Sequence, residues 1–169
     1  HHRHQAEVEQ SFTMSVRSFE DAMRLEGRLP KTNVILFRSE LASQEVAGRW
    51  LKAKEKVFKL VRLRYVDDLP NVFVESYIPC ALYPGLDKFD FNNKSLYAAM
   101  EECGEPVANA RRRFEAVKAE GATVALLDVE TATLILFHTI GYDAQGEAVE
   151  YSIARYRGAS NSFEIYVTR

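Results

Sequence analysis

The stretch VFKLVRLRYVDDLPNVFVESYI, residues 57–78, decides the architecture. Val57 to Tyr65 is rich in β-branched and aromatic residues and predicts a strand. Asp67-Asp68-Leu69-Pro70 reads as a turn, and Val72 to Ile78 returns as a second strand. Side chains alternate along a strand, so Phe58, Leu60, Arg62 and Arg64 share one face of this hairpin.

Upstream of the hairpin, Ser18-Phe19-Glu20-Asp21 opens a short helix with Ser18 as N-cap, and Gly27 and Pro30 end it. Asn33 to Leu41 alternates as a strand. Ser43 caps a further helix in which Val46, Ala47, Trp50 and Leu51 form one apolar stripe. Downstream, Pro84-Gly85 starts a loop that ends at Asn92-Asn93, and Ser95 to Cys103 is a helix stopped by Gly104. Val107 to Val117 is expected as a strand and Lys118 to Leu127 as a short alanine-rich helix. Three strands finish the chain: Ala132 to Tyr142, then Glu147 to Arg157 after a turn at Asp143-Ala144-Gln145-Gly146, then Phe163 to Val167. Hairpin-linked strands with helices between them indicate an α+β fold on a mostly antiparallel sheet with flanking helices.

The 169 residues suit one domain with a continuous core. No apolar run reaches the roughly 18 residues that span a bilayer, and no stretch has a signal-peptide layout, so no membrane partner is expected and the cytoplasm is the expected location. A net charge of −2 lacks the basic excess of a domain that grips nucleic acid by its backbone. Cys80 and Cys103 have no metal-ligand spacing and read as reduced thiols. His1, His2 and His4 read as a disordered start, partly a purification remnant, rather than a metal site. Residues 1–16 are expected to be disordered or a linker and 17–169 to form the domain. The polar opening without a methionine suggests a piece of a longer protein.

Signatures of catalysis are nearly absent: no phosphate-cradling glycine loop, nucleophile elbow or metal-binding pair occurs, and no cofactor or metal is expected. His138 shares a strand face with Leu134, Leu136 and Ile140 and reads as a structural histidine. Asp67 and Asp68 read as turn-formers. Two guanidiniums in line with Phe58 and Leu60 are unusual on a solvent face. Each presents a planar fork of donors matched to phosphate or carboxylate. An anion anchor and a row of surface ion pairs are equally consistent with that pattern alone. Ser95 stands at a helix start, where free N–H groups favour an anion, and Tyr97 lies in the first turn. On the strand from Glu147, the side chains of Glu150, Ser152 and Tyr156 point one way, as a ligand-reading face or a solvated one.

In order and spacing these segments resemble the UTRA domain, the effector-binding half of HutC/FarR-type regulators of the GntR family. The resemblance is carried by Ser18-Phe19-Glu20-Asp21, Arg62-Leu63-Arg64, Ser76-Tyr77-Ile78-Pro79, Pro84-Gly85-Leu86, Ser95-Leu96-Tyr97, Ala125-Leu126-Leu127, Tyr142 to Gly146, Val149 to Ser152 and Arg155 to Gly158. It implies a chorismate-lyase-like fold that senses a small anionic metabolite, a phosphorylated sugar or a carboxylate, without catalysis. It implies a ligand site of Phe19, Arg62, Arg64, Ser95, Tyr97, Glu150 and Tyr156, with Arg62, Arg64, Ser95 and Tyr97 on the anionic group. It also implies a homodimer that binds DNA only through an N-terminal winged helix-turn-helix outside this chain, with effector binding acting allosterically on it. Two positions depart from the amino-sugar phosphate binders of the family. Val74 stands where they carry Glu, with Glu75 on the opposite face, and Glu20 follows the first-motif Phe where Ser or Thr is frequent. A carboxylate ligand is then as plausible as a sugar phosphate. The alternatives are a chorismate-lyase-like enzyme using Glu150 or Glu75 as acid, and a dimerisation module whose pocket is vestigial.

Overall fold

A computed structural model describes residues 8–12, 27, 30–49, 55–127 and 133–165. Its centre is the hairpin of β3 (Lys56–Val66) and β4 (Leu69–Pro79). The turn is only Asp67-Asp68, both with positive φ of 51° and 67°. Two left-handed residues match the right-handed twist of the flanking strands, and Asp tolerates that conformation. Leu69 and Pro70, expected in the turn, belong to β4; Pro70 sits at its second residue, beside a register shift at Arg64/Tyr65.

Six strands form one antiparallel sheet in the order β2-β3-β4-β7-β6-β5, where β2 is Pro30–Leu41, β5 Asn109–Lys118, β6 Thr133–Tyr142 and β7 Ala148–Arg157. Three short α-helices are described: α1 (Gln44–Arg49), α2 (Leu96–Glu102) and α3 (Ala122–Leu126). Ser43 caps α1 as expected, its Oγ accepting from the Val46 N–H at 3.2 Å. The α+β, mostly antiparallel expectation holds.

Direct partners across an antiparallel sheet share a face. Phe58, Leu60, Arg62 and Arg64 therefore lie on the same side as Val72, Val74, Ser76 and Ile78 of β4, and as Glu150, Ser152, Ala154 and Tyr156 of β7. The same side carries Phe137 and Thr139 of β6 and Arg112 and Phe114 of β5. One end of this face is covered by Leu96, Ala99 and Met100 of α2, packed with Phe58, Leu60, Ile78, Tyr83, Leu86 and Phe91. On the opposite face Val46 of α1 packs on Val57, Tyr77 and Tyr151, and Leu127 beyond α3 packs on Leu63 and Leu134.

Three further expectations need correction. Residues 8–12, placed in a disordered start, form strand β1 (Val8–Phe12), paired in parallel with β8 (Asn161–Ile165) in a separate two-stranded sheet. A five-residue polar segment gains strand structure only from a partner distant in sequence, so local pattern misses it. The helix expected from Lys118 shrinks to Ala122–Leu126, because β5 pairs with β6 as far as Lys118 and Gly121 turns the chain at φ 54°. The last strand begins two residues earlier than expected, at Asn161. The Ser18 helix, Phe19, Glu20, Trp50 and Leu51 lie outside the described residues.

Candidate functional site

Four expected site residues converge on one face. Arg62, Arg64 and Glu150 are only 3%, 7% and 3% exposed, and Tyr156 shares their side of the sheet. Tyr97 reaches them from α2: its hydroxyl donates to Glu150 Oε1 at 2.7 Å. Ser95 is the N-cap of that helix, its Oγ accepting from the Ala98 N–H at 3.1 Å. Its visible work is to start the helix that aims Tyr97. Seven residues make too short a helix for a developed dipole, so the anion-attracting helix start foreseen at Ser95 gains no support. Phe19 lies outside the described residues.

A directed hydrogen-bond chain links the charges. Arg62 Nη2 donates to Ser76 Oγ at 3.3 Å, the Ser76 and Ser152 hydroxyls meet at 2.8 Å, and Ser152 donates to Glu150 Oε2 at 2.5 Å. Since Ser152 gives its proton to Glu150, Ser76 is the donor between the serines. Both carboxylate oxygens of Glu150 thus accept from hydroxyls, from Ser152 on one and Tyr97 on the other, which keeps a buried negative charge solvated by protein dipoles.

Local structure explains how Glu150 arrives there. Asp143 Oδ1 accepts from the N–H groups of Gln145 and Glu147, both at 2.9 Å, and Gly146 takes φ 83°, closing the turn into β7. A register shift at Gly141/Tyr142 then sets Glu150 opposite Gly141. A Cβ at Gly141 would come within 2.9 Å of Glu150 Oε1, so this position has room only for glycine while the carboxylate holds its place.

Arg112 was not foreseen. Its register row runs Arg112, Thr139, Ser152, Ser76 and Leu60 across five strands, which puts it on the site face, and it hydrogen-bonds Tyr97. The triplet Arg111-Arg112-Arg113 signals charge, but only the pairing with β6 shows which arginine turns inward. Burial first, and Glu150 second, push the Tyr97 hydroxyl well above the ordinary tyrosine range, partly opposed by Arg112. Burial also raises Tyr156, while Arg64, Arg112 and Arg62 pull it back. All three arginines therefore act on one hydroxyl.

The floor between them is low. Ser76, Ser152, Thr139, Val74 and Ala154 are small, whereas Tyr97 with α2 rises at one end. At the other end Phe163 of β8 packs on Phe137 and Tyr156, with ring centroids 4.5 and 5.0 Å away. Among the described residues of this face, three guanidiniums stand against one carboxylate. Glu75 faces the other side, 2.6 Å from Arg155, and His138 lies there too, with Nδ1 3.1 Å from the Tyr151 hydroxyl. No cluster of metal-ligating side chains occurs among the described residues.

This sheet recurs in known proteins. The family model for the UTRA domain matches residues 25–161, and the chain belongs to that family. The HTH-type transcriptional repressor NagR of Bacillus subtilis is 25% identical over 155 residues, covering 90% of this chain and 63% of NagR. The HTH-type transcriptional regulator GmuR of the same organism is 29% identical over 130 residues, covering 75% of this chain and 54% of GmuR. The chain thus spans less than two thirds of either relative. Among solved structures, the effector domain of PhnF from Mycobacterium smegmatis has a TM-score of 0.87 at 21% identity, covering 96% of this chain and all of that one. The C-terminal domain of the histidine utilization repressor from Pseudomonas syringae pv. tomato has a TM-score of 0.76 at 19% identity, covering 83% and 100%. The chain is an effector-binding domain of the kind found in GntR-family transcription regulators. Among the described residues no helix is long and apolar enough to cross a membrane.

Proposed function

We propose that this domain binds a small anionic metabolite, a phosphorylated sugar or a carboxylate, on the face that carries Arg62, Arg64, Tyr97, Glu150 and Tyr156. Binding would modulate DNA binding by a longer, homodimeric cytoplasmic regulator through a helix-turn-helix outside this chain. One observation carries the reading: the buried guanidiniums of Arg62 and Arg64 share one face of the sheet with the half-buried Arg112. The small floor leaves room for that anion, and the arginine forks suit either phosphate or carboxylate oxygens.

The enzyme alternative needs an acid beside the arginines. Glu75 faces away and is paired with Arg155, and both oxygens of Glu150 are held by hydroxyls. That arrangement supports sensing over turnover. The test is a thermal-shift screen of phosphorylated sugars and carboxylic acids. Each charge-assisted contact contributes about 1.5–3 kcal/mol, so Arg62→Ala and Arg64→Ala should weaken the best ligand roughly 10- to 150-fold. Mutants that respond as wild type does would overturn the site. Release of product from chorismate would overturn the non-catalytic reading.

A further inference from the structure

We propose that Ser76 and Ser152 are positioning residues of the ligand site: the Glu150 carboxylate, acting through these two hydroxyls, fixes the direction in which the Arg62 guanidinium meets an anion. This rests on the anion-binding reading above and adds what holds its arginine in place.

The sheet brings the four residues together across three strands. Ser76 of β4 and Ser152 of β7 are direct partners, and Glu150 stands two residues before Ser152 on the same face. Leu60 is the direct partner of Ser76 on β3, which makes Arg62 its diagonal neighbour. Diagonal positions lie about 7–8 Å apart, a distance that a long side chain spans. All four residues are buried, so their mutual bonds face little competition from water.

Proton direction gives the chain its role. A serine hydroxyl has one proton to give, and a carboxylate has none. Ser152 commits its proton to Glu150 Oε2, so Ser76 gives its own to Ser152 across 2.8 Å. The Ser76 oxygen therefore turns lone pairs toward Arg62, and Nη2 donates to it at 3.3 Å. A chain running the other way would turn the Ser76 proton toward the guanidinium and repel it. The far end is anchored as well, because Tyr97 holds Glu150 Oε1 at 2.7 Å. Recognition of an oxyanion depends on how the planar guanidinium fork is oriented, and Ser76 sets that orientation at one of its nitrogens.

The probe is sulfate, titrated calorimetrically into wild type, Ser76→Ala, Ser152→Ala, the double serine variant, Arg62→Ala, Arg64→Ala, and Arg62→Ala combined with Ser152→Ala. Each single serine variant should weaken sulfate about 3- to 10-fold, the size of one net hydrogen bond. The double serine variant should lose no more than either single one, because both break the same chain. It also removes both ends of the Ser76–Ser152 bond, so it serves as the test should a single variant fold poorly. In the Arg62→Ala background, Ser152→Ala should change sulfate affinity by less than about twofold. Its melting temperature should nevertheless fall in both backgrounds, since Glu150 is left one donor short. A loss of sulfate affinity by the same factor with and without Arg62 overturns the proposal and assigns the serines a structural role. Additive losses in the double serine variant overturn it too. Serine variants that bind sulfate as wild type does, while Arg62→Ala does not, overturn it and leave the anion site standing. If Arg62→Ala and Arg64→Ala bind sulfate as wild type does, or if wild type does not bind it, the anion site itself fails and the proposal with it.

Discussion

Arg62 and Arg155 stand two strands apart in one sheet, on opposite faces, and the protein treats them differently. Arg155 is neutralised where it stands: Nη1 lies 2.6 Å from Glu75 Oε1, and the guanidinium covers the Phe73 ring at 5.6 Å. Its neighbourhood follows suit, with His138 Nε2 3.5 Å and Arg113 3.9 Å from Glu115. Arg62 is more deeply buried, bonds a neutral serine, and shares its face with two further arginines and one carboxylate. On one face the arginine pairs with a carboxylate beside it, and on the other Arg62 bonds a serine hydroxyl under cover.

Four measurements sharpen or break this contrast. Both faces are apolar at their covered parts, so Leu60→Ala and Leu134→Ala, each fully buried, should cost about 2–5 kcal/mol apiece in chemical denaturation. A much smaller cost at Leu60 would mean that the site face is loosely packed even under α2. Gly141→Ala should cost about 1–3 kcal/mol, because its Cβ overpacks against Glu150, and should also weaken sulfate binding. Glu75→Gln should cost about 1–2 kcal/mol through the partly exposed pair with Arg155 and leave sulfate affinity unchanged. An altered affinity would show that the faces are coupled. The smallest effect is in alkali. Tyr97 titrates higher in the folded state than unfolded, so its contribution is intact below the unfolded value near pH 10 and is lost as pH rises through the folded one. Tyr97→Phe should therefore flatten the fall in stability between pH 9 and 10.5, by under about 1 kcal/mol.

The same contrast separates what the amino-acid sequence makes legible from what it hides. The hairpin, the Ser43 and Ser95 caps and the Asp143–Gly146 turn depend on residues close in the chain, and each appears where local chemistry puts it. The common face of Arg62 and Arg64, and that of Glu150, Ser152 and Tyr156, follow from alternation within a strand. Joining those two faces needs the β4–β7 pairing, about 80 residues apart in the chain, and it came instead from the family resemblance. Arg112 fell in the remaining gap, since Arg111 and Arg113 carry the same charge on the other face. Pro70 and the end of β5 were misjudged for the converse reason: ladder partners hold both residues in strands against their local preference.

The ribbon of β1 and β8 adds a matter of wiring. Val8 to Phe12 is tied to Asn161 to Ile165 residue by residue, so the strand nearest the chain's beginning cannot slide without β8. Asn161 is pinned to the sheet by Asn71, its Nδ2 donating to Asn71 Oδ1 at 2.8 Å, while Phe163, two residues on, rests on Tyr156. The ribbon thus joins the sheet at Asn161 and meets the aromatic rim of the site at Phe163. Phe163, on the aromatic rim, is the ladder partner of Gln10, so rim and β1 share one set of backbone hydrogen bonds.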